Sequence, residues 1–266
     1  MLLKTRFGGL RAVLAFDNWP MLVLGRIFDR KTGFVVYRKK GIEMLIDHHG
    51  GDEAGTRMCI ASGMYRKYLP LLELSGQVNL LDLGANGGGF PLMLRLEGID
   101  VELAVCVEMN PLTALRLAVN LNSNLGLSSA AINAAVCNLP EGSEIRIEAS
   151  RGNTGWGIFT GQADGTVPGV VVRTTTFQTL YDRYFANGIV DICKIDIEAA
   201  EYEVIASIGD DVLRKIRFLF IEFHDRLRTP AVIERLETLG FTEMTLDEDR
   251  KTEGNTEVRV FRGPGA

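Results

Sequence analysis

The stretch "LLDLGANGGGF", residues 80–90, decides the fold. With Val78 and Asn79 before it, it opens as a continuous apolar run, the pattern of a strand buried on both faces. The run carries Asp82 near its end, and Gly84, Gly87, Gly88 and Gly89 follow at once. Glycine there removes the Cβ atoms that would hold a ligand away from the backbone. In open α/β sheets ligands collect outside the carboxyl ends of the strands. "GFPLMLRLEG" (89–98) supplies the helix that should follow the turn.

Outward from this unit the same alternation repeats. "VELAVCVE" (101–108) reads as a second buried strand. "NPLTALRLAVNLNSN" (110–124) reads as a helix, with Asn110 as its cap and Pro111 at the first helical position. "AAINAAVCN" (130–138) holds a third strand, "IVDICKID" (189–196) a fourth and "IRFLFIEFH" (216–224) a fifth. A helix through "AEYEVIASI" (200–208) separates the last two. Thr175 and Gln178 suggest a capping box before the helix "FQTLYDRYF" (177–185). "TPAVIERLETLG" (229–240) has Thr229 as cap, Pro230 in the first turn and Gly240 as terminator. Strand and helix alternate about every 25–30 residues, the signature of βαβ units and a parallel sheet. "FTEMTL" (241–246) and "TEVRVFR" (256–262) have no helix between them and should close one edge as an antiparallel pair. The fold class is therefore α/β, with a mostly parallel sheet and a terminal antiparallel strand.

Two regions stand apart. Residues 1–76 are read as a small helical/hairpin subdomain ahead of a Rossmann-like domain at 77–266. "GFVVYR" (33–38) and "IEMLID" (42–47) flank "KKG" as a hairpin, and residues 52–69 read as one helix leading to Pro70. "SEIRIEAS" (143–150) and "GVVVR" (169–173) read as strands around a glycine-rich excursion. There Trp156 either lines a substrate pocket or pins its own loop.

Bulk properties narrow the function. The 266 residues are 46% hydrophobic and 24% charged, ordinary for a globular protein. A net charge of −5 with no Lys/Arg stripe argues against a nucleic-acid partner, which needs clustered cations. Cys59, Cys106, Cys137 and Cys193 have no metal-ligand spacing and read as reduced thiols of a cytoplasmic protein. "DHHGGDE" (47–53) likewise lacks ligand spacing, and no metal site is expected. No leader pattern is read. "LRAVLAFDNWPMLVLGRIF" (10–28) is broken by Arg11, Asp17 and Pro20. It falls short of the ~18 apolar residues of a span. It reads as an element docked on the core, or one that could touch a membrane surface.

Glu108 stands at the end of the second strand, 26 residues after Asp82. A carboxylate in that place can accept both hydrogen bonds of a ribose diol. A dinucleotide site wants G-x-G-x-x-G, but Asn86 occupies the second glycine position. No G-K-[ST] follows either, so neither phosphate-cradling pattern fits. S-adenosylmethionine has a ribose and adenine but no phosphate. Asp82, Gly84, Asn86, Gly88, Glu108 and Asn138 are the residues expected to contact it.

At "DLGANGG" (82–88), "VEMNP" (107–111), "VDICKIDIEAAEYEVI" (190–205) and "FIEFH" (220–224) the chain resembles the FkbM-type S-adenosylmethionine-dependent methyltransferases. The resemblance covers roughly residues 35–245. It implies a seven-stranded Rossmann-like class I methyltransferase sheet. It also implies methyl transfer to a hydroxyl of a sugar, glycan or secondary metabolite. Members usually carry glycine where this chain has Ala199. Asp196 falls at a strand tip, and Asp196, Glu198 and His224 are the candidate general bases for such a hydroxyl. Lys194, a charge inside a buried strand, needs a partner, and Glu222 is the expected one. Glu201 reads as an acid complementing a helix N-terminus. Two other functions are weighed: a non-catalytic nucleoside-binding domain, and a nicotinamide-dependent oxidoreductase, which Asn86 disfavours.

Overall fold

The computed structural model describes residues 12–28, 33–148, 169–198, 200–246 and 257–266. Trp156, Ala199 and the glycine-rich stretch 151–168 lie outside the described residues.

Twelve strands are present among the described residues. β1 (Phe34–Lys39) and β2 (Ile42–Asp47) form the expected hairpin, closed by Lys40 and Gly41 at positive φ. β3 (Val78–Leu83), β4 (Val101–Glu108) and β5 (Ser129–Asn133) run parallel as neighbours. β6 (Ala135–Val136), β7 (Glu144–Glu148) and β8 (Gly169–Thr175) make a separate small sheet. β9 (Val190–Ile195) and β10 (Ile216–Phe223) are parallel, while β12 (Glu257–Arg262) runs antiparallel to β10 and pairs with β11 (Thr242–Glu243). The main sheet has the order β11-β12-β10-β9-β3-β4-β5. Its order reverses at β3, which puts the carboxyl ends of β9, β3 and β4 side by side as a ligand crevice.

The sheet is covered on both faces, as its unbroken apolar strands require. Leu80, Ile192, Phe218 and Phe220 feed one apolar cluster, and Leu81, Cys193, Leu219 and Ile221 the other. The alternation is the two-residue period of extended chain. Burying a side chain such as Phe220 contributes roughly 1.5–3 kcal/mol. Tyr37, Met44 and Ile46 of the hairpin belong to the first cluster, so the hairpin packs on the sheet's core.

The helices are α1 (Trp19–Phe28), α2 (Gly89–Leu96), α3 (Pro111–Asn124), α4 (Phe177–Phe185), α5 (Glu201–Ser207) and α6 (Thr229–Thr238), with shorter helical turns between them. Among the described residues no helix is long and apolar enough to cross a membrane. The four cysteines are buried and unpaired.

Several expectations need correction. Residues 52–69 are not one helix but a wide turn (Glu53–Arg57), one helical turn (Met58–Ala61) and a tighter one (Arg66–Leu71). Ser62 is extended and ends the middle piece, and Pro70 cannot join an α-helical ladder. The third strand is split, its two parts pairing in different sheets. The α4 cap is Thr176, whose hydroxyl accepts from Thr179 N; Thr175 is still in β8. Thr229 does not cap α6: it is the first helical residue and donates to the Asp225 carbonyl. Asn110 and Pro111 do start α3, with Asn110 Oδ1 accepting from the backbone N–H groups of Leu112 and Thr113.

Candidate active site

The glycine turn is shaped by close backbone contacts. Gly84 has φ +76°, and a Cβ there would lie 1.7 Å from the Asp196 carbonyl oxygen. The N–H groups of Gly84 and Ala85 both donate to Val107 O, and Asp196 N donates to Leu83 O. The turn thus ties β3 to both neighbours. Asn86 takes a left-handed φ of +49°, which an asparagine tolerates better than most residues. Its amide oxygen accepts from the Thr56 hydroxyl at 2.9 Å, and that hydroxyl oxygen accepts from Gly87 N at 2.9 Å.

Glu108 ends β4 beside this turn. Its two carboxylate oxygens accept from Asn86 N at 3.0 Å and from Asn110 N at 2.7 Å. Burial outweighs these two donors and pushes its carboxyl up to about 7.

Across β3, the end of β9 carries the acidic loop. Lys194 is buried between Asp82, at 3.4 Å, and Asp196, at 3.1 Å, and also donates to Gly84 O at 3.2 Å. Burial opposes its charge, but Asp196 and Asp82 hold it protonated. The expected Lys194–Glu222 pair is therefore corrected. Register places Asp82 directly opposite Lys194 on β3, while its β10 neighbour is Phe220. Glu222 instead accepts from the Tyr65 hydroxyl at 3.0 Å. Burial and the nearby Asp196 raise its carboxyl above the ordinary range.

Glu198 has a left-handed φ of +50°, and burial raises its carboxyl as well. Its Oε2 is 3.4 Å from His224 Nε2, and Asp196 Oδ1 is 3.9 Å from the same nitrogen. Glu201 is fully buried and is more than a helix-start acid: its Oε1 lies 3.1 Å from His224 Nδ1 and accepts from His224 N at 3.0 Å. Burial works against charge on His224, but the hydrogen bond to Glu201 and the charges of Glu201, Glu198 and Asp196 push it up to about 9.

One cavity joins these parts. Gly84, Asn86, Glu108, Asp196, Glu198 and Glu222 line it, with Gly55, Cys59, Met64 and Tyr65 of the N-terminal segment. Asp82 and Gly88 are buried beneath the turn, and Asn138 is exposed away from the lining. A Cβ on Gly88 would meet Leu117, so its role is packing against α3. His224 stands behind the two acids. Nothing in "SGMYRKY" (62–68) marks Tyr65 as part of a cavity wall, and in the sequence Glu222 reads only as an ion partner for Lys194.

The lining fits S-adenosylmethionine: a carboxylate at Glu108 that can accept from a ribose diol, and a turn that carries no phosphate cradle. Fold and site together define a class I, Rossmann-like, S-adenosylmethionine-dependent methyltransferase. Residues 82–243 match the model of the methyltransferase FkbM domain, and the chain belongs to that family. No curated protein matches the chain. Among solved structures it is similar to a methyltransferase FkbM from Methylobacillus flagellatus KT, with 14% identity, a TM-score of 0.49, and coverage of 75% of this chain but 47% of that one. A precorrin-6y C5,15-methyltransferase from Geobacter metallireducens GS-15 aligns at 14% identity and TM-score 0.42, covering 74% and 84% of the two chains. A human methyltransferase 10 domain-containing protein aligns at 14% identity and TM-score 0.44, covering 76% and 80%.

Proposed function

We propose that this methyltransferase is an O-methyltransferase acting on a hydroxyl of a sugar, glycan or secondary metabolite. One observation carries the proposal: Glu108 and the acids Asp196, Glu198 and Glu222 line a single cavity on either side of the glycine turn. When bound, S-adenosylmethionine supplies a sulfonium-activated methyl group, which goes to the acceptor oxygen as the C–S bond breaks and its electron pair stays on sulfur. The chain's own work is positioning and proton removal. Glu108 would hold the ribose, beside Gly84 and Asn86 on the same cavity wall. A hydroxyl is a poor nucleophile until it loses its proton. The carboxylates facing the cavity take that proton, and Glu201 and His224 fix the geometry of Glu198 and Asp196. The acidic balance of the chain and the lack of a basic stripe favour a small or glycan acceptor over a nucleic acid.

The test is incubation of the full chain with methyl-labelled S-adenosylmethionine and a panel of sugars, glycans, hydroxylated metabolites, amines and RNA. Label fixed as a base-stable ether on a hydroxyl acceptor is the expected result. Label only on nitrogen, carbon or RNA would overturn the proposal.

A further inference from the structure

Asp196, Glu198 and His224 place one donor atom each within 4.8 Å of one another. They come from the ends of adjacent strands, β9 and β10, and the two acids face the cavity. The imidazole is not free to turn, because Nδ1 lies 3.1 Å from Glu201 Oε1. With the Nδ1 hydrogen donated there, Nε2 faces Glu198 Oε2 at 3.4 Å and Asp196 Oδ1 at 3.9 Å, and in the free protein a proton on Nε2 balances the two carboxylates. Once that proton leaves, two carboxylates and this nitrogen are all acceptors aimed at one point. A divalent cation can take the proton's place there.

A second observation points the same way. Glu201 is fully buried behind His224, and among the described residues its Oε2 has no hydrogen-bond donor. Lys194, the cation of this cluster, already serves Asp82 and Asp196. A buried carboxylate on the far nitrogen of a histidine is the arrangement that orients imidazole as a metal ligand. Mixed carboxylate and imidazole donors with open positions suit Mn²⁺ or Mg²⁺.

We propose that Asp196, Glu198 and His224 form a site for one divalent cation of the Mn²⁺ or Mg²⁺ type, which binds the acceptor oxygen. The role in catalysis rests on the O-methylation proposed above; the site itself does not. A cation there lowers the pKa of the bound hydroxyl, and Glu222 on the same cavity wall receives the proton.

The test is titration of Mn²⁺ into chelator-treated full chain, read by loss of the paramagnetic resonance signal of free Mn²⁺. One bound ion per chain with Kd below about 1 mM, displaced by Mg²⁺, is expected. Glu198→Gln, half-exposed and tolerant of change, should weaken Mn²⁺ at least about tenfold, and Glu201→Gln about 10–100-fold. Circular dichroism melting checks that each variant is folded. No binding, or the same binding in folded Glu198→Gln and Asp196→Asn, would overturn the site and leave a protonated His224 as the cation of the cluster. Methyl transfer to a hydroxyl that survives chelation overturns the catalytic role alone. Mn²⁺ bound at this site, with label found only on non-hydroxyl acceptors, overturns O-methylation and leaves the site standing.

Discussion

Arg116 of α3 takes both carboxylate oxygens of Asp52, Nε to Oδ2 at 2.6 Å and Nη2 to Oδ1 at 2.7 Å. Both side chains are buried, and Asp52 sits in the segment just before Thr56 and the cavity wall. Asp52→Ala removes the bidentate partner, leaves the buried guanidinium with Asp47 Oδ2 at 3.9 Å, and should cost about 3–5 kcal/mol. Urea denaturation measures this. Arg116→Met in the same chain should recover part of the loss, because the stranded charge goes with it.

Glu108→Ala removes the proposed ribose acceptor. S-adenosylmethionine should bind about 1.5–3 kcal/mol more weakly, one to two decades in Kd. Calorimetry decides it, and an unchanged Kd would remove Glu108 from the cofactor site.

The same residue predicts a pH dependence. Burial lifts Glu108 from 4.5 to about 7 in the free protein, so the folded state holds a proton that the unfolded chain has released. Its contribution to stability therefore falls as pH rises from about 4.5 to 7. Cofactor affinity runs the other way, since the ionised carboxylate is the better partner for a diol. Kd should drop between pH 6 and 8 by up to about tenfold. Glu108→Gln should flatten the profile.

Glu198→Gln should lower kcat by about 10²–10⁴-fold while S-adenosylmethionine Kd stays put. Equal loss in both would mean the side chain shapes the cofactor pocket instead. Tyr65→Phe takes one donor from Glu222 and should cost about 1 kcal/mol in thermal stability.

Local signals carried most of what sequence could reveal. The run from Val78 to Gly89 encodes a buried strand and an open turn within a dozen residues, so Gly84, Asn86 and Glu108 on the cavity wall could be named in advance. Asp196 and Glu198 followed from where a strand must stop. Lys194 shows the limit. Its partner depends on which strand lies beside β9 and in which register, and that is fixed by packing across the sheet, not by neighbours in the chain. Asp82 stands opposite it only because β3 is inserted beside β9. Residues 52–69 are not the single helix expected for a similar reason: their shape answers to Asn86, Gly87 and Arg116, all far along the chain. Tyr65 had no pattern to betray it, because one aromatic at a cavity wall reads like any core aromatic.

Gly84 and the Asp196 carbonyl have one more consequence. An atom added at residue 84 would fall on that oxygen, so the tips of β3 and β9 form one ledge with no slack between them. Spent cofactor has no exit by prying these strands apart. The opposite side of the cavity, bordered by Met64 and Tyr65, belongs to a segment tied to the turn through Thr56 and anchored by the buried Asp52–Arg116 pair.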